Sequence, residues 1–186
     1  MRVNKAAVLQ AASEIADEQG LNNVSLKAIA EKLGIKTPSL YNHIKSLDDL
    51  LRDVAHNGML AMNSRMTQVS IGSSGDAAIK KVGAEYLNYM IEHPGIYETI
   101  QWATWHGTEE TARIYNDYIN LLKVLLRSCN IQEDYIEEAL NLITAVFHGY
   151  TTLQLRYAFS EPEKVRNQLL DAIDTVLKGI YQKYRL

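Results

Sequence analysis

Cysteine is almost missing from this chain: Cys129 stands alone among 186 residues. One thiol cannot close an intrachain disulfide, and it cannot build a cysteine zinc site. No apolar run approaches the roughly 20 residues that a membrane span needs. Strand-like alternation of apolar and polar residues is absent, as are repeats and low-complexity tracts. Proline occurs only at positions 38, 94 and 162, each beside a helix start or stop. Positive charge is not in excess: the formal net charge is −3. That argues against a protein that coats nucleic acid generally, while leaving room for a local basic patch. The N-terminal stretch is amphipathic and carries Glu14, Asp17 and Glu18, so it does not read as a secretion signal, and the cytoplasm is expected. What remains, 47% apolar and 22% charged residues, is ordinary for a globular protein. The patterning makes it all-α, with about nine helices.

The most informative stretch is SLKAIAEKLGIKTPSLYNHIK, residues 25–45. Leu26, Ile29, Ala30 and Leu33 share one helical face, and Ser25 stands where a hydroxyl can cap the first turn. Gly34 is a left-handed stop, with Ile35 folding back behind it. Thr37 and Pro38 then begin a second helix, since proline in a first turn loses no hydrogen bond. Leu40 and Ile44 hold that helix to a core, while its other positions are polar. Lys27, Lys32, Lys36 and Lys45 stand against Glu31 alone, a charge balance suited to phosphate. Helix, glycine turn and proline-led polar helix make a helix-turn-helix, whose second helix enters the major groove of DNA.

The segment VSLKAIAEKLGIKTPSLYNHIKSLDDLL resembles the DNA-binding part of the TetR family of bacterial transcriptional repressors, over about residues 3–55. LYNHIKS is the most diagnostic piece. The resemblance implies that Lys27 approaches DNA from the first helix of the motif. It implies that Thr37, Pro38, Ser39 and Asn42 face bases or a thymine methyl, and that Tyr41, His43 and Lys45 sit on phosphates. Leu47 departs from the family pattern, which often has lysine there.

Residues 1–45 are therefore expected to form a three-helix DNA-binding domain, and residues 46–186 a helical ligand-binding and dimerisation domain. A helix over 46–68, capped by Ser46 with Asp49, would link the two, with Gly58 a place for it to bend. SIGSSG at 70–75 is the clearest loop, and Asp76 is expected to cap the helix after it. A short helix runs through Tyr97 and Ile100, followed by QWATWHG at 101–107. Thr108 caps the next helix. Long amphipathic helices are expected over about 132–158 and from Ser160 onward. The first of these carries Ile136, Leu140, Ile143, Val146, Phe147, Tyr150, Leu153 and Tyr157 as one apolar stripe.

By the same resemblance, the last two helices pair with those of a second copy as a four-helix bundle. The middle helices would form a pocket for a small-molecule effector. Tyr86, Met90, Trp102, Trp105, His106, Tyr115, Phe147 and His148 are its candidate lining, because aromatic side chains offer apolar area with few polar tips. WATWHG also resembles the Trp-His-Gly signature of one C-terminal domain type in that family. The histidines show no helical zinc spacing, and neither a cofactor nor a catalytic set is suggested. The expected function is a homodimeric regulator that binds a double-stranded operator and responds to a small molecule. An effector-free dimeric DNA protein and an all-helical enzyme are the alternatives.

Overall fold

The computed structural model describes residues 3–184. Among these it shows nine α-helices and no strand: α1 (Lys5–Gln19), α2 (Leu26–Leu33), α3 (Thr37–Leu40), α4 (Leu47–Ser70), α5 (Gly75–Glu92), α6 (Pro94–His106), α7 (Glu109–Arg127), α8 (Ile136–Leu155) and α9 (Val165–Tyr184). Short 3-10 turns precede α8 and α9.

By contact the chain divides into two compact units. The first is Met1–Ala61 with His93–Ile114, and the second is Met62–Glu92 with Tyr115–Leu186. Helices α4 and α7 each begin in the first and end in the second.

In the first unit, local chemistry sets the helix ends. The Asn4 side chain accepts from the Ala7 N–H at 2.9 Å and starts α1. Ser25 does the same for α2, accepting from Ala28 N–H at 3.1 Å. Gly34, at φ +66°, takes the left-handed turn that a side chain would resist, and the Ile35 N–H donates back to the Ala30 carbonyl. Lys36 is the residue before α3, so Thr37 and Pro38 are its first two positions. The α-helix ends at Leu40, and residues 41–43 continue as turns. Ser46 caps α4: its Oγ accepts from Asp49 N–H and donates to the Asp49 carboxylate.

Helix α6 is continuous from Pro94 to His106, so QWATWHG does not follow a helix but largely completes one. It is fastened to α1. The Asp17 carboxylate accepts from the N–H groups of Gly95 and Ile96, at 2.8 and 3.2 Å, where the helix has no donors' partners of its own. Gly95 lies against the Ala16 main chain, and any Cβ there would overlap it. Gly58 has a similar role: a Cβ there would overlap the Ile96 side chain, so α4 and α6 cross closely at this point.

The second unit is built on α5, α8 and α9. At Gly83 a Cβ would meet Phe147 and Ile173, so three helices close together over one residue without a side chain. Asp76 lies inside the first turn of α5 rather than capping it, and its carboxylate accepts from the Tyr181 hydroxyl. Helix α8 corrects the single stripe expected from its sequence. Ile136, Leu140, Ile143, Phe147 and Thr151 form its buried line, whereas Leu153 is 45% and Tyr157 92% exposed. Val146 and Tyr150 are half-buried. The helix therefore carries two apolar faces, and only one is covered within the chain.

Candidate functional site

Helix α3 is held from beneath and open above. Leu40 is fully buried and Ile44 nearly so, whereas Tyr41 is 58% exposed. Pro38, Asn42 and Lys45 are exposed, and Thr37, Ser39 and His43 are half-buried. Burying a leucine of this kind contributes about 1.5–3 kcal/mol, enough to fix so short a helix that has few hydrogen bonds of its own. Lys27 is exposed on α2, with Glu31 at 3.9 Å. All eight residues expected at the nucleic-acid surface thus lie in the first unit, on α2 or in the α3 segment.

One member of the expected basic patch is diverted. The Lys32 ammonium lies 3.0 Å from Glu14 and 3.4 Å from Glu18, both on α1. The hydrogen bond that Lys32 donates to Glu14 raises the Lys32 pKa, and the same bond lowers that of Glu14. The sequence around Lys32 could not show this, because its partners are a helix away. Lys36, at the N-terminal end of α3, is exposed.

Behind this surface is a cleft of about 520 Å³, with Tyr41, His43, Lys45, Arg52, His56 and Glu110 among its lining residues. Arg52 bridges its two sides: it donates to the Asp49 carboxylate at 2.6 Å and to the carbonyl of His106 at 3.3 Å. His56 Nε2 is 2.7 Å from the Thr111 hydroxyl, which also accepts from the Thr108 N–H. Thr111, rather than the expected Thr108, thereby supplies the side chain that organises the start of α7. Burial lowers the His56 pKa, so at neutral pH Nε2 can accept the Thr111 proton. Neither Arg52 nor His56 stood out in the sequence, since no local pattern marks a side chain whose partner is about 55 positions away.

The eight expected effector-site residues are not in one unit. Trp102, Trp105 and His106 lie on α6 in the first. There the Trp102 and His106 rings stack at 4.9 Å, while Trp105 is 86% exposed. Tyr86, Met90, Tyr115, Phe147 and His148 lie in the second unit. Met90 is buried on α5.

Four of that second group join an aromatic cluster. Tyr86 stacks on Tyr118 at 5.9 Å, contacts Phe147 at 5.9 Å, and meets His148 edge-on at 5.3 Å. Tyr115 stands edge-on to Tyr118 at 5.8 Å. The Tyr86 hydroxyl is 3.0 Å from His148 Nδ1. Burial pushes the His148 pKa down and those of Tyr115 and Tyr118 up, so each favours its neutral form. Sequence reading missed Tyr118 and Thr151. Their hydroxyls are buried without a hydrogen-bond partner, as is Gln154 Oε1. Such a group costs about 1–3 kcal/mol when left unpaired.

Comparison with known proteins extends this picture to the whole chain. Residues 8–54 match the family described as bacterial regulatory proteins, tetR family. Residues 79–176 match the tetracyclin repressor-like C-terminal domain. The HTH-type transcriptional regulator YobS of Bacillus subtilis (strain 168) is 31% identical over 175 residues, spanning 93% of this chain and 90% of its own. In fold, the chain is similar to a protein of unknown function from Rhodococcus sp. RHA1, with a TM-score of 0.84, 16% identity and coverage of 97% and 96% of the two chains. It is also similar in fold to a TetR variant from Acinetobacter baumannii AYE solved with minocycline, with a TM-score of 0.71, 19% identity and coverage of 97% and 98%. The Bacillus subtilis relative is named as an uncharacterized transcriptional regulator. With both ends of the chain matched to one family, and a relative aligned along nearly all of it, the chain belongs to the TetR family of DNA-binding transcriptional regulators.

Proposed function

We propose that the protein is a homodimeric repressor, which leaves a palindromic operator when a small-molecule effector binds. The observation that carries the DNA half of this reading is the α3 segment, anchored by Leu40 and Ile44 with Tyr41, Asn42 and Lys45 turned to solvent. Thr37, Pro38, Ser39 and Asn42 would meet base edges, and Tyr41, His43 and Lys45 would meet phosphates. Lys27 would reach a phosphate from α2, and Lys36 adds a further exposed charge.

The uncovered apolar face of α8 supports a second copy as partner. Leu142 and Leu153 are exposed on it, and Gly149 between them meets no atom of its own chain at the Cβ position. On α9, Gly179 is equally open. Small residues of this kind let helices of two chains approach closely. A dimer also meets a geometric need, because two recognition helices read half-sites spaced by about 34–36 Å or a multiple of that.

The effector would act in the second unit and bias α7, which carries Tyr115 and Tyr118 and begins at the Thr111–His56 hydrogen bond beside the head. It has to favour one state over the other, typically by about 1–3 kcal/mol.

The test starts from bound fragments selected out of a random DNA pool. Tyr41→Ala should weaken binding of such a fragment by about tenfold or more, the value of one good contact. Unchanged binding in a mobility shift would discredit the α3 assignment. A sedimentation experiment showing only monomer at micromolar concentration would remove the dimer.

A further inference from the structure

Resting on that effector reading, we propose that the cluster formed by α5, α7 and α8 takes an uncharged, planar ring compound carrying a hydroxyl or carbonyl. Tyr118 Oη and Thr151 Oγ1 would hold this polar group.

Three observations lead there. Tyr118 and Thr151 are both buried almost to zero exposure, and their hydroxyls have no partner. Buried polar groups are nearly always paired, so each of these two unspent hydroxyls in the second unit calls for a pairing group from outside the chain. The surroundings then define what that group is attached to. Tyr86 and Tyr115 lie against Tyr118, and Phe147 and the His148 ring lie against Tyr86 in turn. Thr151 follows Phe147 by one helical turn on the same buried line of α8. Flat rings stack into such surroundings in offset or edge-on geometry. Tyr115 is only half-buried, so the cluster reaches the surface at that side chain.

Charge decides the rest. The ionisable members are three tyrosines and a histidine, and the shifts described above keep Tyr115, Tyr118 and His148 neutral. The Arg65 guanidinium, which comes near α5, is already engaged by Glu85 and Glu92. An ionised ligand would be stripped of water here without a counter-charge, at a cost that a few aromatic contacts do not offset. The Tyr86 hydroxyl has its own partner in His148. Tyr118 and Thr151 are therefore left to the ligand, and each can donate or accept.

The experiment uses full-length protein and four probes of one shape: 2-naphthol, naphthalene, 2-naphthoate and 2-naphthylmethylammonium, each measured by equilibrium dialysis at neutral pH. The expected result is 2-naphthol bound about tenfold or more tighter than the other three, one polar contact being worth that factor. Tyr118→Phe and, separately, Thr151→Val should each reduce that preference over naphthalene while leaving operator binding intact. Without ligand, Tyr118→Phe should raise the melting temperature by about 2–4 °C, because it deletes an unpaired hydroxyl and keeps the ring. Equal affinity for naphthol and naphthalene, preference for either ion, or no binding of any probe overturns the inference. So does a lowered melting temperature in both variants. Naphthol binding that leaves the operator complex intact would instead sink the effector reading and spare the site. Operator binding without naphthol binding would do the reverse.

Discussion

The two units treat polar groups in opposite ways. In the first, buried or half-buried polar atoms are answered close by: Asp17 serves the start of α6, Ser46 and Asp49 serve each other, Arg52 takes the His106 carbonyl, and Thr111 meets His56. Its unanswered polar groups point outward from α3, where a duplex would meet them. In the second, Tyr118 and Thr151 keep unanswered hydroxyls inside, while Leu142 and Leu153 stand outside. The outward leucines and the inward hydroxyls breach the usual inside–outside rule, and under the proposed function each would meet something the single chain lacks. Outward polar groups suit DNA, outward leucines suit a second copy, and inward hydroxyls suit a small molecule.

That contrast can be broken first at its glycines. Gly95→Ala drives a methyl into the Ala16 main chain and should cost about 3 kcal/mol or more by chemical denaturation. Gly149→Ala puts the same methyl where the chain has nothing, so fold stability should change by less than about 1 kcal/mol. Equal losses would mean that Gly149 is packed as tightly as Gly95.

A smaller effect separates free from committed lysines. Lys36→Ala should reduce the slope of log affinity against log salt by about 0.9, the loss of one phosphate contact. Lys32→Ala should leave that slope nearly unchanged, because Glu14 and Glu18 already hold its charge. Identical slopes for the two variants would return Lys32 to the DNA surface.

The smallest effect is in pH. Burial lowers the pKa of His148, so below its ordinary value of about 6.5 the unfolded chain binds the proton more readily than the folded one. The stability tied to a neutral His148 is therefore complete above that pH and declines as pH falls toward the lowered folded value. His148→Gln should flatten the decline in melting temperature. His56, shifted the same way by burial, should leave part of it in place. A decline as steep in the variant as in the parent would place His148 in water.

The head was legible because its signals are local. Ser25 caps, Gly34 turns, Pro38 starts a helix, and each acts within four residues of itself. The same locality explains the limits. Lys32 reads as a phosphate ligand until α1 is folded beside it. Asp76 reads as a cap until Tyr181 arrives from α9. Periodicity found the apolar residues of α8 but merged its two faces, since a helix apolar on both sides gives one broad stripe. Aromatic content picked out Tyr86, Phe147 and His148 as candidate pocket lining, and the structure makes them neighbours. It could not place Trp105, because a tryptophan at a helix end looks the same in a sequence whether it is sunk or exposed. Thr151 was invisible for the opposite reason: a small polar residue among apolar ones resembles a tolerated exception.

The fastening of α6 to α1 sets a rule for anyone assembling chimeric regulators from this molecule. A cut after the fourth helix begins would leave Asp17 facing an empty end and strip Gly58 and Gly95 of what they were shaped to admit. The transplantable cassette is discontinuous: His93–Ile114 has to travel with the first 61 residues, and a new sensor must be spliced in between them as well as behind.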